Sequence, residues 1–217
     1  MLSPLRIVTV VSRPFDENSY VAWREGERTS IVFDPGFEPE LIFDELDRYR
    51  IAPAAILNTH GHSDHIAGNA AVKERWPECP LVIGEHEIAK LSDPMQNLSG
   101  LFGLAITSPP ADQTVSDNEQ YSIAGFEFLV REIPGHSCGH VVFIAQGEQP
   151  IVVFGGDVLF AGSIGRTDFP DGDFELLARG IREKLYTLPD DTIVYPGHGE
   201  PTTIGREKRT NPFVPAV

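Results

Sequence analysis

Cysteine is scarce in this sequence. The two that occur, Cys79 and Cys138, are far apart and supply neither a ligand pair nor a disulfide framework. A reducing cytoplasm is the compartment this usage suggests. Long apolar runs are missing as well, and none approaches the length needed to span a bilayer. The apolar stretch Ile7-Val8-Thr9-Val10-Val11 abuts Arg6, and no small-residue cleavage site follows it, so it reads as a first strand and not as a signal peptide. Basic residues are in short supply too: 17 against 32 acidic ones, a formal net charge of −15. That balance argues against a nucleic-acid binder, whose affinity rests on basic patches. It also means that an anionic substrate must be attracted locally, by metal ions and a few placed arginines. What remains is an ordinary soluble globule, 41% apolar and 23% charged. Its 217 residues fit one domain with a full-sized core and would leave a second domain cramped.

The pattern along the chain is mixed. Residues 5–12, 19–24 and 29–33 are apolar or alternating runs broken by turn residues, which predicts a strand meander ended by Asp34-Pro35-Gly36. Helical spacing covers 39–49, and a buried strand follows at 54–58. A helix is expected from His65 to Trp76 with Pro77 as its stop, then a strand at 80–83 and a short helix at 85–91. Residues 92–113 carry too much Pro, Gly and Asn for regular structure, yet include Met95, Leu98, Leu101, Phe102 and Leu104. They read as a loop tucked onto the core, or as a flap over a pocket. Strands return at 119–123, 126–133, 140–146 and 150–154, followed by a helix at 173–186 and a last strand at 192–195. The strands thus come in two batches, each followed by helical segments.

Chemistry concentrates in Thr59-His60-Gly61-His62-Ser63-Asp64-His65, where three imidazoles and a carboxylate follow a strand. Asp and His without Cys favour zinc, iron or manganese over a soft-metal site. The strand-end setting recurs at His136, after Ile133-Pro134-Gly135, and at His198, after Tyr195-Pro196-Gly197. Asp157 ends the run Ile151 to Gly156, whose glycines allow close backbone approach. Singly, each could be a turn residue; beside the dense cluster they form a set. Five His and two Asp suffice for two metals sharing a carboxylate. His86 lies on a charged stretch and reads as a surface residue, and His140 as a partner standing behind the ligands.

Thr-His-x-His-x-Asp-His, a later Pro-Gly-His, then Gly-Asp and Pro-Gly-His-Gly resemble the metallo-β-lactamase superfamily along nearly the whole chain, from Asn18-Ser19-Tyr20 onward. Gly165-Arg166-Thr167-Asp168-Phe169 and Thr210-Asn211-Pro212-Phe213 are similar to segments of small bacterial glyoxalase II-type hydrolases. The resemblance implies an α+β fold, a four-layer αβ/βα sandwich with the metal site at one edge between two sheets. It implies that His60, His62 and His136 bind a first metal, that Asp64, His65 and His198 bind a second, and that Asp157 bridges them. The catalytic carboxylates would be Asp64 and Asp157. Asp34 would steady the histidine loop, or simply open its Asp-Pro-Gly turn.

Two divalent ions, zinc first with iron or manganese as alternatives, lower the pKa of water and polarise a carbonyl, so neither Ser nor Cys is needed as nucleophile. Ser163 lacks the first glycine of a nucleophile elbow, and Cys138 reads as a small apolar packer. A thioester suits this apparatus, because a thiol with a pKa of about 8.5 departs without a dedicated acid. Glyoxalase II-type enzymes hydrolyse acylglutathione thioesters such as S-lactoylglutathione. Arg166 is the candidate for gripping a substrate carboxylate, with pairing to Asp168 or Asp171 as its competing role. No separate domain matching the helical C-terminal domain of long glyoxalase II enzymes is expected in residues 200–217, where Arg206, Lys208 and Arg209 read as a solvated tail. The rival is a persulfide dioxygenase of the same superfamily, holding one iron through His60, His136 and Asp157. A non-catalytic sensor is disfavoured, because a decayed site should have lost some of the seven donors.

Overall fold

Alternating burial builds the centre of the molecule, whose computed structural model describes residues 3–216. The first sheet runs in chain order through β1 (Leu5–Ser12), β2 (Glu17–Arg24), β3 (Thr29–Phe33), β4 (Ala52–Leu57), β5 (Leu81–Gly84) and β6 (Gln113–Val115). Its first two pairings are antiparallel and the rest parallel. The second sheet contains β7 (Gln120–Ile123), β8 (Phe126–Glu132), β9 (Val141–Ala145), β10 (Val152–Gly156), β13 (Ile193–Pro196) and β14 (Thr202–Thr203), in that spatial order. Between β10 and β13 the chain forms a small hairpin of β11 (Leu159–Phe160) and β12 (Ser163–Ile164).

Because side chains alternate across a strand, each sheet has two apolar faces. Ile31, Phe33, Ala55, Leu57 and Val82 meet Phe128, Val130, Val141, Phe143 and Phe154 in the shared core between the sheets. Phe33 stacks on Phe154 with ring centres 3.8 Å apart. The intervening residues face outward, onto helices. Val21 and Val32 pack on Ile42 and Leu46 of α1 (Pro39–Tyr49). Ile56, Leu81 and Ile83 pack on Ile66 and Val72, from α2 (Ser63–Ile66) and α3 (Asn69–Arg75). Val142, Ile144 and Val153 pack on Leu177, Ala178 and Ile204, from α4 (Phe174–Gly180) and α5 (Ile204–Thr210). This is the expected four-layer α+β sandwich.

Three local differences have physical causes. The helix expected over His65–Trp76 is two short helices divided at Gly68, whose backbone N–H donates to Pro35 O at 2.8 Å. A Cβ there would lie 2.6 Å from Gly36 O, so the break lets the metal loop dock on the Asp34-Pro35-Gly36 turn. Residues 92–113 are anchored by buried Asn97, which donates to Lys90 O and Ile106 O and accepts from the Ser63 backbone. The same segment leaves Phe102 and Leu101 exposed, so it is tucked onto the core and lines a pocket as well. The β11–β12 hairpin and α5 went unread because neither has a long periodic stretch.

Candidate metal centre

Strand direction gathers the site. β3, β4, β8, β10 and β13 run the same way, so their C-terminal ends deliver Asp34, the His60 loop, His136, Asp157 and His198 to one edge of the sandwich. Each loop is then fastened. Tyr20 Oη donates to Pro196 O at 2.6 Å, and Asn18 Nδ2 donates to Pro196 O and Gly199 O, which fixes the turn carrying His198. These two residues belong to the Asn18-Ser19-Tyr20 segment that carried part of the resemblance, and their role was not legible in the sequence. Gly197 is tightly enclosed: a Cβ would sit 2.7 Å from the His65 ring and closer still to the Asp157 carboxylate.

All seven expected donors converge. Ring nitrogens of His60, His62 and His136 lie within 4.8 Å of one another, and so do a carboxylate oxygen of Asp64 and ring nitrogens of His65 and His198. Asp157 converges with His60 and His65, one residue from each trio. Its Oδ2 is 3.3 Å from His136 Nε2 and 3.5 Å from His198 Nε2. Its Oδ1 is 3.5 Å from His65 Nε2, and both of these atoms are buried without a hydrogen-bond partner.

The hydrogen bonds behind the histidines decide which nitrogens are bare. Thr59 Oγ1 donates its one hydrogen to Asp34 Oδ2 at 2.7 Å, so at 3.1 Å it accepts from His60 Nδ1. His136 Nδ1 donates to Arg166 O at 2.9 Å. Assigned from this network, the Nε2 atoms of His60 and His136 are lone pairs, and each lies 3.0 Å from His62 Nδ1. One proton at most can serve three nitrogens there. A cation satisfies all three, so the donor set fits a metal ion. Burial first, then the neighbouring imidazoles, holds His60 and His62 well below the usual histidine range. They are therefore neutral, the form that ligates. His65 goes the other way: burial lowers it, but Asp64, Asp157 and Asp34 together raise it well above the usual value. Asp64 is opposed by burial, yet His65 and His198 keep it below the usual carboxylate range and ionised at neutral pH.

Asp34 performs both expected roles. It opens the turn at positive φ, and its carboxylate accepts from the Thr59 backbone, Thr59 Oγ1 and His65 Nδ1. His140 is fully buried, stacks on His60 at 4.6 Å and accepts from the Asp157 backbone N–H at 3.0 Å. His86 is exposed and paired with Glu132. One expectation needs correction. Cys138 is exposed, not a core packer, and burial of its thiol together with nearby Glu87 pushes it up to about 11. Arg166 lines the cavity, but its guanidinium forms a two-point pair with Asp168 at 2.6 and 2.7 Å and lies over the Phe169 ring. That pair is the competing role, made by Nε and Nη2 alone.

Beside the cluster opens a cavity of about 330 Å³, walled by Phe15, Leu98, Phe102, Phe160, Ile164 and Phe169, with His62, Asp64, His136, Asp157 and His198 at its floor. Its walls are largely apolar. Phe15 meets Phe102 edge-on at 5.6 Å across the rim.

The family model for the metallo-β-lactamase superfamily matches residues 12–198, and the chain belongs to that superfamily. It is 38% identical over 207 residues to the protein named hydroxyacylglutathione hydrolase GloC from Haemophilus influenzae, covering 92% of this chain and 93% of that one. Among solved structures it is similar to BLEG-1, titled a B3 metallo-β-lactamase (TM-score 0.91, 39% identity, 96% of this chain and 99% of that one). It is also similar to TTHA1623 in a di-iron-bound form (0.83, 35%, 95% and 99%) and to ETHE1 from Myxococcus xanthus (0.79, 25%, 96% and 84%). Fold, donor cluster and relatives together define a metallo-hydrolase with a divalent-metal site.

Proposed function

We propose that this protein hydrolyses a thioester of a small carboxylic acid, S-lactoylglutathione or a related acyl-thiol, with two divalent cations, zinc first and iron or manganese as alternatives. The observation that carries the proposal is the convergence of two donor trios on a carboxylate set between them. His60, His62 and His136 would hold one cation, Asp64, His65 and His198 the other, and Asp157 would reach both. Cations held there supply a water ionised near neutral pH and polarise a carbonyl oxygen.

The chain's own residues set the rest. Asp34, Thr59 and the Arg166 carbonyl orient three of the imidazoles, fixing where their lone pairs point. Phe160, Ile164 and Phe169 wall the cavity beside them, restricting water around a bound acyl group. Asp64 is ionised at neutral pH and so acts as a donor to a cation, not as a proton source. Without an acid in place, a good leaving group is favoured, and a thiolate of pKa about 8.5 meets that need. The similarity to a protein named hydroxyacylglutathione hydrolase supports the same substrate class.

The likeness to ETHE1 supports a second reading, a persulfide dioxygenase with one iron held by His60, His136 and Asp157. A paired assay separates the two. Thiol release from S-lactoylglutathione is followed beside oxygen uptake with glutathione persulfide, with a chromogenic cephalosporin included because of the likeness to BLEG-1, a B3 metallo-β-lactamase. Thiol release that Asp157→Ala abolishes is the expected result. Oxygen uptake without thiol release would replace the hydrolase with the oxygenase.

A further inference from the structure

The 3₁₀ helix Glu85–Leu91 has the composition of a solvated segment, yet it carries two buried charges against the metal loops. Glu87 is fully buried and Lys90 nearly so. One Glu87 oxygen, Oε2, accepts from the Gly61 backbone at 2.8 Å, between His60 and His62. The other, Oε1, accepts from the Gly139 backbone at 2.7 Å and from Ser137 Oγ at 2.5 Å, in the turn just after His136. Lys90 balances that carboxylate at 3.4 Å and binds Ser137 Oγ and Asp171. Asp171 in turn accepts from the Cys138 backbone at 3.1 Å.

The packing is as tight as the bonding. A Cβ on Gly61 would lie 2.5 Å from Lys90 Cβ, and one on Gly139 would meet His86 Cβ. The helix therefore sits directly on both loops that bring His60, His62 and His136 together. The other trio is fastened elsewhere. His65 is held by Asp34 and by Asn58, which donates to its carbonyl, and the His198 turn by Asn18 and Tyr20.

We infer that Glu87, neutralised by Lys90, is a positioning residue dedicated to the His60/His62/His136 half of the site, setting the affinity of that half independently of the other. The inference rests on the two-cation reading above only in assigning this trio a cation. Among the described residues, the Gly61 and Gly139 N–H groups both donate to the Glu87 carboxylate. Removing the carboxylate frees two loops that meet at one point, and their three nitrogens then spread. Side chains supporting metal ligands in this way typically cost about 10–100-fold in metal affinity when removed.

The experiment compares wild type with Glu87→Gln and Lys90→Met, each loaded with zinc and then challenged with a graded chelator, counting zinc retained per chain. Thermal unfolding is followed alongside. Asn18→Ala, which frees only the turn carrying His198, provides the reference for damage to the other half. Glu87→Gln should lose one zinc at about 10–100-fold lower chelator strength and keep the second near the wild-type point. Asn18→Ala should weaken the zinc held with His198. Parallel loss of both zincs, or an unchanged retention curve with only a lower melting temperature, would overturn the inference and leave Glu87 a purely structural charge. Lys90→Met guards against a Glu87 variant that fails to fold, because it leaves the carboxylate bonds in place and should shift the same single step by less. A wild type that retains only one zinc at every chelator strength would overturn the two-cation reading instead.

Discussion

Asp34 receives four donors at once, from the Thr59 backbone, the Thr59 hydroxyl, the His65 ring and, at 3.5 Å, Asn58 Nδ2, in a position 3% exposed. Its removal leaves those donors buried and unmatched, each costing about 1–3 kcal/mol. Asp34→Ala should therefore lower the urea midpoint well beyond an ordinary surface change, and its cleavage rate should fall with it. A midpoint within experimental error of wild type would show that water or another acceptor takes over. Cys138 is the opposite case. With its thiol pushed up to about 11, it is uncharged at neutral pH, and Cys138→Ser should cleave a thioester at the wild-type rate. The difference between residues that could be read and residues that could not lies in burial. Histidines clustered at strand ends stand out in any polar loop. Glu87 and Lys90 have the polarity of a solvated helix, and only the contact with Gly61 and Gly139, distant in the chain, buries them. Arg166 shows the limit from the other side: a pairing with Asp168 or Asp171 was legible, and only side-chain geometry selects Asp168.

Among the elements, the strands were the most legible, because period-two alternation appears both in the sequence and in the two faces of each sheet. Helix boundaries were less so. The break at Gly68 follows from a contact with the Asp34-Pro35-Gly36 turn, and nothing in the spacing around residues 65–76 announces it. α4 is a simpler case. Asp173 caps it by accepting from the Leu176 backbone at 3.0 Å, and Asp173→Ala should cost about 1 kcal/mol in unfolding free energy. Activity should be retained, because the Asp173 backbone N–H still donates to Gly135 O beside His136. The segment 92–113 presents Phe102 to the cavity while Asn97 ties it to α2. Phe102→Ala should raise KM for thioesters with apolar acyl groups by the loss of about 1 kcal/mol of aromatic contact, leaving kcat little changed. A fall in kcat at constant KM would mean that the segment acts on the reacting atoms instead of on the acyl group.

At the scale of the whole molecule, the two sheets place six imidazoles in one region, all but His198 buried. In metal-free protein the titrations oppose one another. His60, His62, His136 and His140 are held low, chiefly by burial, so the unfolded chain binds protons first. Their contribution to stability is complete above the unfolded value of about 6.5 and is lost as pH falls below it. His65 and His198 are raised, so their contribution is present below that value and is lost as pH climbs through the folded one. Four against two, with three of the four held well down, predicts a net loss of stability on acidification below about 6.5. Urea midpoints in excess chelator at pH 8, 6.5 and 5 check this; a midpoint that rises towards pH 5 would contradict it. Metal binding should steepen the loss on acidification, since protons compete with a cation for the same nitrogens. The most direct test of the account titrates metal-free protein with zinc while following S-lactoylglutathione cleavage. The account predicts cleavage that grows to two equivalents per chain and then levels. A plateau at one equivalent, or no cleavage at any loading while a single iron supports oxygen uptake, would contradict it.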